Sequence, residues 1–398
     1  MNGHFKFIII GCGMMGAAAA RHLSLWTDGV AVIGPAEPAD TASHTGVFAS
    51  HYDEARITRT IDPDATWARL ANRSIARYGT IAAESGIDFY APVGCLVVGP
   101  QRHDDDLSYV GRVQKAAAAL AVATEDMNDS GLVEAFPYFA FPRGSDGIFE
   151  RMNAGHINPR RLVKAQTLLA ERQGATVIRE TVTATREGAG LVTITTAEGK
   201  TYTADKVLVA AGGFSIAERL LGARLDLKVY GRTVSFFEID EAQMAAFAGM
   251  PSLIWRWTDA AEGIYMLPPV RYPDGRFYLK IGGDPNNVEL RSEPEIRAWF
   301  RSGGRESTHR HLASVVAKLV PEVDLSRSSM AACVTSFTPT GYPAISMVSD
   351  RTGVLTGGCG AAAKSSDEIG RLGAELLFHG RIEDDVYAPA NGFPAHFL

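Results

Sequence analysis

Three glycines near the start of the chain have the spacing of a phosphate-binding turn. Gly11, Gly13 and Gly16 form the pattern G-x-G-x-x-G, which follows the apolar run FKFIII and leads directly into four alanines. Strand, glycine turn and helix in that order is the context in which this pattern binds a dinucleotide. The glycines permit the tight turn, the approach of a pyrophosphate and close helix packing, and the helix N-terminus offers free N–H groups. The motif alone does not distinguish NAD from FAD.

The position that usually binds the adenosine ribose is unusual. In a dinucleotide fold an acidic residue at the end of the second strand, here Val30–Ile33, holds the ribose hydroxyls. That position is Gly34, and the only acid close by is Glu37. No arginine lies between Gly34 and Asp40 to suit a 2′-phosphate. We therefore expect the ribose to be bound by Glu37 or from elsewhere in the chain.

Other patterns that suggest chemical sites are weaker. The stretch from Gly358 to Ser365 differs from a P-loop by one residue, since Ala363 stands where that motif has glycine. Only 34 residues follow Lys364 (398 − 364), too few for the rest of a nucleotide-hydrolysing domain. The histidine-containing stretches 103–106 and 308–311 are better explained as a charge run and a helix face than as metal ligands. We expect no metal.

Composition excludes several classes of protein. The 398 residues are 46% hydrophobic and 21% charged, which is typical of a globular protein. A net charge of −6 without a basic block argues against nucleic-acid binding. The four cysteines form no C-x-x-C pair, and no apolar run approaches the roughly 20 residues that span a bilayer. We expect a cytoplasmic protein without a membrane segment.

Both ends of the chain alternate strand and helix, whereas the middle has a more antiparallel pattern. Strands are predicted at 5–10, 30–33, 206–209, 229–239, 276–281 and 353–356. This order predicts an α/β fold in which a discontinuous Rossmann-type FAD-binding domain encloses an inserted substrate domain with a mainly antiparallel sheet. The predicted FAD-binding domain comprises 1–88, 152–224 and 336–398, and the substrate domain comprises 89–151 and 225–335.

Local signals also predict helix ends. Gly29 is expected to end the first helix as its C-cap. Asp62 and Asn158 each precede a proline, which is typical of an N-cap followed by proline at the first helical position.

Several further motifs occur in an order that suggests a family. Residues 50–59, SHYDEARITR, begin with serine and histidine and carry two arginines three apart. Cys333 opens the stretch CVTSFTP, and a second glycine turn covers 357–360. With the first glycine turn and the sheet segments at 263–265 and 277–282, these motifs resemble the sarcosine oxidase family over nearly the whole chain. Members of that family are FAD-dependent oxidases of N-methyl and other secondary amino acids.

The resemblance implies roles for two residues that would otherwise be unremarkable. Cys333 matches the cysteine bonded to the flavin 8α-methyl carbon, with Cys359 as a weaker candidate. Lys280 matches the lysine that lies over the flavin and activates oxygen, where a fixed ammonium stabilises the charge of superoxide. From the residues alone, Cys333 would be a small buried residue and Lys280 would lie on a solvated strand face.

The resemblance also implies the substrate and cofactor contacts. Arg59 and Lys364 match the pair that binds the substrate carboxylate, for which an arginine fork and a lysine charge are well suited. Arg56 matches an arginine packed near the flavin. The implied cofactor contacts are Gly11, Gly13, Met14, Met15, Gly16, Ser50, His51, Arg56, Ile57, Val182, Gly212, Cys333, Gly358, Gly360 and Lys364.

The substrate pocket departs from the family pattern. Its implied members are Arg59, Tyr265, Met266, Asp284, Thr335 and Ala361. Asp284 and Ala361 replace histidines, and Thr335 replaces an aromatic residue, so the pocket is expected to be roomier or differently polar. These changes favour a larger N-substituted or cyclic amino acid over sarcosine.

We therefore predict an FAD-dependent amine oxidase that reduces O2 to H2O2. The predicted partners are O2 and a small-molecule substrate, an amino acid, and the protein is expected to be a monomer or a small homo-oligomer. One alternative is a flavin dehydrogenase of the same fold that uses a quinone or a protein acceptor, and another is a flavin-binding protein without turnover. An NAD dehydrogenase would leave the motifs at 333 and 357–365 unexplained.

Overall fold

The fold is described from a computed structural model that covers 3–102, 108–188, 190–257, 263–390 and 392–398, with side chains described outside 388–390. The helices are α1 (Met14–Ser24), α2 (Ala65–Ile75), α3 (Tyr78–Ser85), α4 (Tyr109–Ala119), α5 (Asp129–Ala135), α6 (Pro159–Arg172), α7 (Glu218–Leu221), α8 (Glu293–Ser302), α9 (Glu306–Leu319) and α10 (Ala362–His379). Short 3₁₀ helices cover Gly212–Ile216, Glu241–Phe247 and Asp385–Ala390.

The strands form two large sheets and one small sheet. They are β1 (His4–Ile10), β2 (Val30–Ile33), β3 (Arg56–Thr58), β4 (Tyr90–Ala91), β5 (Cys95–Pro100), β6 (Glu125–Met127), β7 (Ser145–Glu150), β8 (Gly155–Ile157), β9 (Thr176–Ile178), β10 (Val182–Gly188), β11 (Leu191–Thr196), β12 (Thr201–Val209), β13 (Lys228–Ile239), β14 (Ser252–Trp255), β15 (Ile264–Arg271), β16 (Phe277–Gly282), β17 (Val288–Leu290), β18 (Ser328–Phe337), β19 (Ala344–Met347) and β20 (Thr352–Thr356).

The first sheet has parallel strands at its centre. Its order is β10-β11-β12-β1-β2-β9, and β20 pairs with β12 and β19. β1 runs parallel to both β2 and β12, and its residues Ile8, Ile9 and Ile10 are buried. A strand covered on both faces needs such a continuous apolar run. The alanine-rich helix α1 packs against α6 and α10, so the glycine turn between β1 and α1 is held on both sides.

The second sheet is mainly antiparallel. Its order is β17-β13-β16-β15-β14-β5-β7-β6, with β18 paired to β13 and one parallel pair, β14 with β5. In the ladder between β13 and β18, Cys333 lies opposite Arg232. A small separate sheet joins β3, β8 and β4. The predicted α/β fold, with a Rossmann-type sheet and a second antiparallel sheet, is confirmed.

Two of the predicted helix ends are wrong. α1 ends at Ser24, and its C-cap is Leu25, in a right-handed conformation, rather than Gly29. Gly29 lies further on, with a φ of 72°, and turns the chain into β2. α2 is capped by Asp64 and not by Asp62, since the Asp64 carboxylate accepts the N–H groups at the start of the helix. Asp62 is thereby left to point elsewhere.

The helix start predicted at Asn158 is confirmed. Its side chain accepts the N–H of Arg161, and Pro159 occupies the first turn of α6. Among the described residues, no helix is both long enough and apolar enough to cross a membrane.

Candidate active site

A single deep cavity runs from the glycine turn to the second sheet. Its volume is about 880 Å³, and segments from both large sheets line it. The glycine turn at 11–15 lines one part of the cavity, and Tyr109 and Arg256 line another. A cavity of this size has room for a dinucleotide and a small substrate in the same enclosure.

The glycine turn is required by close approach of the backbone. Gly11 has a φ of +107°, and a Cβ added there would lie 2.3 Å from the carbonyl oxygen of Ala210. A Cβ on Gly16 would lie 1.9 Å from the carbonyl oxygen of Gly11, whereas a Cβ on Gly13 would meet only His51 Nδ1, at 3.9 Å. α1 begins at Met14 without a side-chain cap. Its first N–H groups are therefore available to a pyrophosphate.

Gly34 is required for the same reason. A Cβ at this position would lie 2.5 Å from the backbone nitrogen of Cys12, so no acid can stand there. Glu37 is held by Arg160, whose Nη2 lies 2.6 Å from the Glu37 carboxylate, and Glu37 does not line the cavity. The expectation that Glu37 binds the ribose therefore stays a prediction, and it would require this ion pair to rearrange.

The segment at 50–59 crosses the cavity beside β18. Ser50 Oγ donates to the carbonyl of Val334, at 3.1 Å. Arg56 donates to the carbonyl of Ser50 at 3.1 Å, and its Nη2 lies 3.4 Å from Cys333 Sγ. This places a guanidinium next to the cysteine that the resemblance assigns to the flavin.

His51 is a neutral imidazole at the cavity. Burial, with Arg160 and Arg179 close by, lowers its pKa to about 3. Its Nδ1 is buried and has no hydrogen-bond partner among the described residues, and a polar atom without a partner in such a site indicates a bound ligand. The uncrowded backbone at Gly13 and this free nitrogen beside it both fit FAD.

The two cysteines in the cavity have different surroundings. Cys333 lies half-buried on β18 with Arg56 beside its sulfur. Cys359 lies in the second glycine turn with a φ of 47°, and its sulfur donates to the carbonyl of Gly357 at 3.2 Å. Burial raises the pKa of the Cys359 thiol. The geometry therefore puts the positive charge at Cys333.

Lys280 lies on β16 and is 1% exposed. Its ammonium forms an ion pair with Asp53 and donates to the carbonyl of Ala55 at 2.7 Å. Asp53 also forms an ion pair with Arg56 and accepts the hydroxyl of Tyr272 at 2.8 Å. Lys280 is not among the residues that line the cavity. A role for Lys280 at the cavity would therefore require this network or a local rearrangement.

Arg59 and Lys364 meet at the cavity and share one carboxylate. Asp62 Oδ2 lies 3.2 Å from Arg59 Nη2 and 3.1 Å from Lys364 Nζ. Burial disfavours the charged form of Asp62, yet the two cations beside it hold its pKa below the usual value. Arg59 also donates to the hydroxyl of Tyr109 at 3.2 Å, and Lys364 donates to the carbonyl of Trp67 at 3.2 Å.

Arg59 retains hydrogen-bonding capacity in this cluster. Its Nε is buried and has no partner within the described part of the chain. The cluster therefore has one negative and two positive side chains, and one donor of Arg59 has no partner among the described residues. Such an arrangement binds an anion.

The second sheet contributes further polar groups. Arg232 donates to Thr335 Oγ1 at 2.9 Å and to Asn287 Oδ1 at 2.8 Å. Asp284 accepts the N–H of Thr233 at 3.2 Å, and burial raises its pKa to about 6. Arg256, just after β14, lies over the ring of Tyr109 at 5.4 Å.

Most of the predicted site residues line the same cavity. These are Gly11, Gly13, Met14, Met15, Ser50, His51, Arg56, Ile57, Arg59, Val182, Gly212, Tyr265, Asp284, Cys333, Thr335, Gly358, Gly360, Ala361 and Lys364. Gly16 packs against the turn behind it, as its place in the motif requires. Met266 was expected in the pocket but is fully buried in the core under the second sheet. Alternation along β15 puts Tyr265, and not its neighbour, at the cavity.

Sequence reasoning missed Asp53, Asp62, Tyr109 and Arg256. The sequence predicts Asp62 as a helix cap. In each of the pairs Asp53–Arg56 and Arg59–Asp62 the two residues are three apart and form an ion pair, and this spacing is the signal that could have identified the two acids. Tyr109 and Arg256 carry no local signal, because only the folded chain brings them to Arg59.

No group of three or more histidine, cysteine, aspartate or glutamate side chains is arranged for a metal within the described ranges. Residues 103–106, considered above, lie outside those ranges. In the other stretch considered, the two ring nitrogens of His309 contact Ser235 at 2.8 Å and Ser328 at 3.2 Å.

The chain is similar to known flavoproteins over nearly its whole length. A family model described as FAD dependent oxidoreductase matches residues 6–376. The monomeric sarcosine oxidase of Bacillus sp. (strain NS-129) is 26% identical over 394 residues, which cover 97% of this chain and 96% of that protein. These matches confirm the resemblance that the motifs predicted.

Solved structures share the fold. NikD, an unusual amino acid oxidase essential for nikkomycin biosynthesis, has a TM-score of 0.77 at 19% identity, covering 100% of this chain and 99% of its own. L-proline dehydrogenase from P. horikoshii has a TM-score of 0.74 at 16% identity, with 97% of each chain covered.

Proposed function

Because the chain belongs to the family of FAD-dependent oxidoreductases, we propose that it oxidises the C–N bond of a secondary amino acid and reduces O2 to H2O2. The substrate is N-substituted or cyclic. The observation that carries this proposal is that Arg59 and Lys364 meet in one cavity with the glycine turn and Cys333. A flavoenzyme of amino acids needs an anion site within reach of its flavin.

The overall reaction moves two electrons and two protons from the amine to O2. The substrate loses two electrons and two protons to become an imine, which water hydrolyses, and O2 gains the same electrons and protons. A bound flavin supplies the two-electron acceptor, while the protein binds, orients and supplies charge.

Arg59 and Lys364 bind the substrate carboxylate. With Asp62 between them their charges sum to one positive charge (2 − 1), which one carboxylate neutralises. The unpartnered Nε of Arg59 is the donor already available to it. This contact fixes the carboxylate and thereby turns the adjoining carbon and nitrogen toward the flavin side of the cavity.

Cys333 would hold the flavin through a thioether at its 8α-methyl carbon. Forming that S–C bond in place of the S–H bond and one methyl C–H bond would release two electrons and two protons, which O2 would take up. Arg56 Nη2, 3.4 Å from Sγ, places a positive charge beside the sulfur.

Lys280 promotes the reaction with oxygen. With Arg56 and Asp53 it forms a buried cluster whose charges sum to one positive charge (2 − 1). A fixed positive charge in a water-poor site stabilises the anion formed when oxygen takes its first electron. Burial lowers the pKa of Lys280, and the Asp53 carboxylate in contact with it favours the charged form.

A second candidate function is dehydrogenation with a quinone or protein acceptor. The observation in its favour is Asp53, which offsets part of the positive charge of Lys280.

We also propose that the domain bounds follow the segments given above, with 1–88, 152–224 and 336–398 forming the flavin domain.

Mixing the purified holoenzyme with secondary amino acids without oxygen, and then admitting air, tests the function. An oxidase bleaches and then rapidly regains its yellow colour with release of peroxide. Slow recolouring that a quinone accelerates would favour the dehydrogenase, and a flavin that no amino acid bleaches would contradict both. Lys280→Met is expected to slow recolouring by roughly 100-fold without slowing bleaching.

A further inference from the structure

Arg256 differs from the other arginines around the cavity. It follows β14, its backbone N–H is bonded to the carbonyl of Val98 at 2.9 Å, and its guanidinium lies over the Tyr109 ring at 5.4 Å. It lines the cavity together with its neighbours Ile254 and Trp257. The backbone bond and the ring hold its side chain at the cavity wall.

Each of the other cavity arginines has a polar partner. Arg56 pairs with Asp53 and Arg59 pairs with Asp62, while Arg232 is bonded to a threonine and an asparagine. Arg256 has no carboxylate within ion-pair distance among the residues that the structure describes. Burial lowers the pKa of Arg256. The charge of Arg59 lowers this pKa further, whereas the hydroxyl of Tyr109 raises it.

Counting charge at this end of the cavity gives an excess that a monocarboxylate leaves unmatched. Arg59, Lys364 and Arg256 carry three positive charges against the one negative charge of Asp62, and Glu150, buried next to Arg59, adds only part of a second negative charge at neutral pH because burial raises its pKa to about 7. A substrate with one carboxylate and a neutral reacting amine supplies only one negative charge. Among the residues that the structure describes, no carboxylate would then pair with the Arg256 guanidinium, and an unpaired charge in a partly dehydrated site is unfavourable.

We propose that the substrate carries a second carboxylate, which Arg256 binds, so that the enzyme acts on N-substituted dicarboxylic amino acids. This inference rests on the function proposed above. The first carboxylate lies at Arg59 and Lys364, and the second lies across the ring of Tyr109.

Tyr109 sets the spacing between the two carboxylates. Its hydroxyl accepts a hydrogen bond from Arg59 at 3.2 Å, while Arg256 lies over its ring. The two guanidinium groups therefore contact the same tyrosine, one at its hydroxyl and the other over its ring. A dicarboxylate with an aliphatic chain between its carboxylates would span the two. Ile254 and Trp257 provide apolar surface for such a chain.

Matched substrates test the inference. Racemic N-methylglutamate and N-methylglutamine have nearly the same shape but differ by one negative charge, as do N-methylaspartate and N-methylasparagine. We expect anaerobic bleaching of the holoenzyme to be at least about tenfold more efficient for the acid of at least one pair, because a charge-assisted pair is worth more than a neutral contact.

Substitution of Arg256 should remove this preference. Arg256→Met is expected to slow the acid much more than its amide, so that the two rates converge, and Arg256→Lys should retain part of the preference. Arg291→Met, at an arginine whose side chain is 73% exposed, is the control and should leave the preference intact.

Binding of compounds that are not oxidised gives a readout independent of turnover. Glutarate should perturb the flavin absorbance of the oxidised holoenzyme at lower concentration than butyrate, and Arg256→Met should abolish that difference. If no amino acid bleaches the flavin while glutarate still binds more tightly, the proposed reaction fails and the dianion site stands. Equal handling of acids and amides, or equal loss of both in Arg256→Met, would overturn the inference.

Discussion

The two ends of the cavity are built in different ways. At the nucleotide end, glycines 11, 16 and 34 allow backbone atoms to approach within distances that any side chain would block. At the substrate end, Arg59, Lys364 and Arg256 contribute three positive charges, of which Asp62 offsets one. A side chain at any of these three glycines should therefore disrupt cofactor binding. A change of charge at the substrate end should instead alter substrate binding in proportion to the charge added or removed.

Gly34→Ala should produce the largest effect. The new Cβ would lie 2.5 Å from the backbone nitrogen of Cys12, so the glycine turn must shift and the protein should be purified almost without flavin. Gly79→Ala is the matched control, because a Cβ there has no neighbour within 4 Å and alanine favours a helix. The ratio of flavin absorbance to protein absorbance measures the outcome, and full flavin content in Gly34→Ala would contradict the steric argument.

Arg59→Met should lower the efficiency of anaerobic bleaching by about 100-fold, since hydrogen bonds to charged groups are worth about 1.5–3 kcal/mol each. Flavin content should not change, because the glycine turn is intact. Asp62→Asn alters the balance in the opposite direction and should tighten the binding of simple carboxylates. Loss of flavin in Arg59→Met, or weaker carboxylate binding in Asp62→Asn, would count against the charge-balance description of this end.

Cys333→Ser should change how the flavin is held rather than whether it binds. After acid precipitation we expect a yellow pellet from the parent protein and from Cys359→Ser, and free flavin in the supernatant from Cys333→Ser. Peptide mapping of the pellet locates the attachment. Flavin released from the parent protein would disprove the thioether while leaving the FAD site intact.

Glu150 should produce the smallest effect, as a dependence of stability on pH. It is fully buried next to Arg59, accepts the backbone N–H groups of Thr60 and Ile61, and burial raises its pKa to about 7 from 4.5. A raised pKa favours the protonated folded state, so this contribution is complete below pH 4.5 and is lost as the pH rises through 7.

Glu150→Gln removes the titration while keeping an oxygen acceptor. Compared with this variant, the parent protein should lose on the order of 1–3 kcal/mol of unfolding free energy between pH 5 and pH 8. Denaturant unfolding across that range measures the difference. Parallel pH profiles for the two proteins would show that Glu150 does not titrate in this window.

Sequence patterns predicted the parts of the site that depend on neighbouring residues. The glycine turn and the helix start at Asn158 are local, and the structure contains both of them. The predicted cap at Asp62 failed because Asp64, two residues later, satisfies the helix N–H groups instead. Met266 failed because its burial depends on what packs beneath the sheet.

By itself, then, the sequence determined the nucleotide-binding turn, because steric limits on the backbone act over a few residues and leave a fixed spacing of glycines. Only the tertiary structure decided the charge balance of the substrate end. Asp53 and Lys280 are 227 residues apart in the chain, and Trp67 and Lys364 are 297 residues apart. No spacing encodes such partners, since an ion pair forms wherever folding brings opposite charges together in a site with little water.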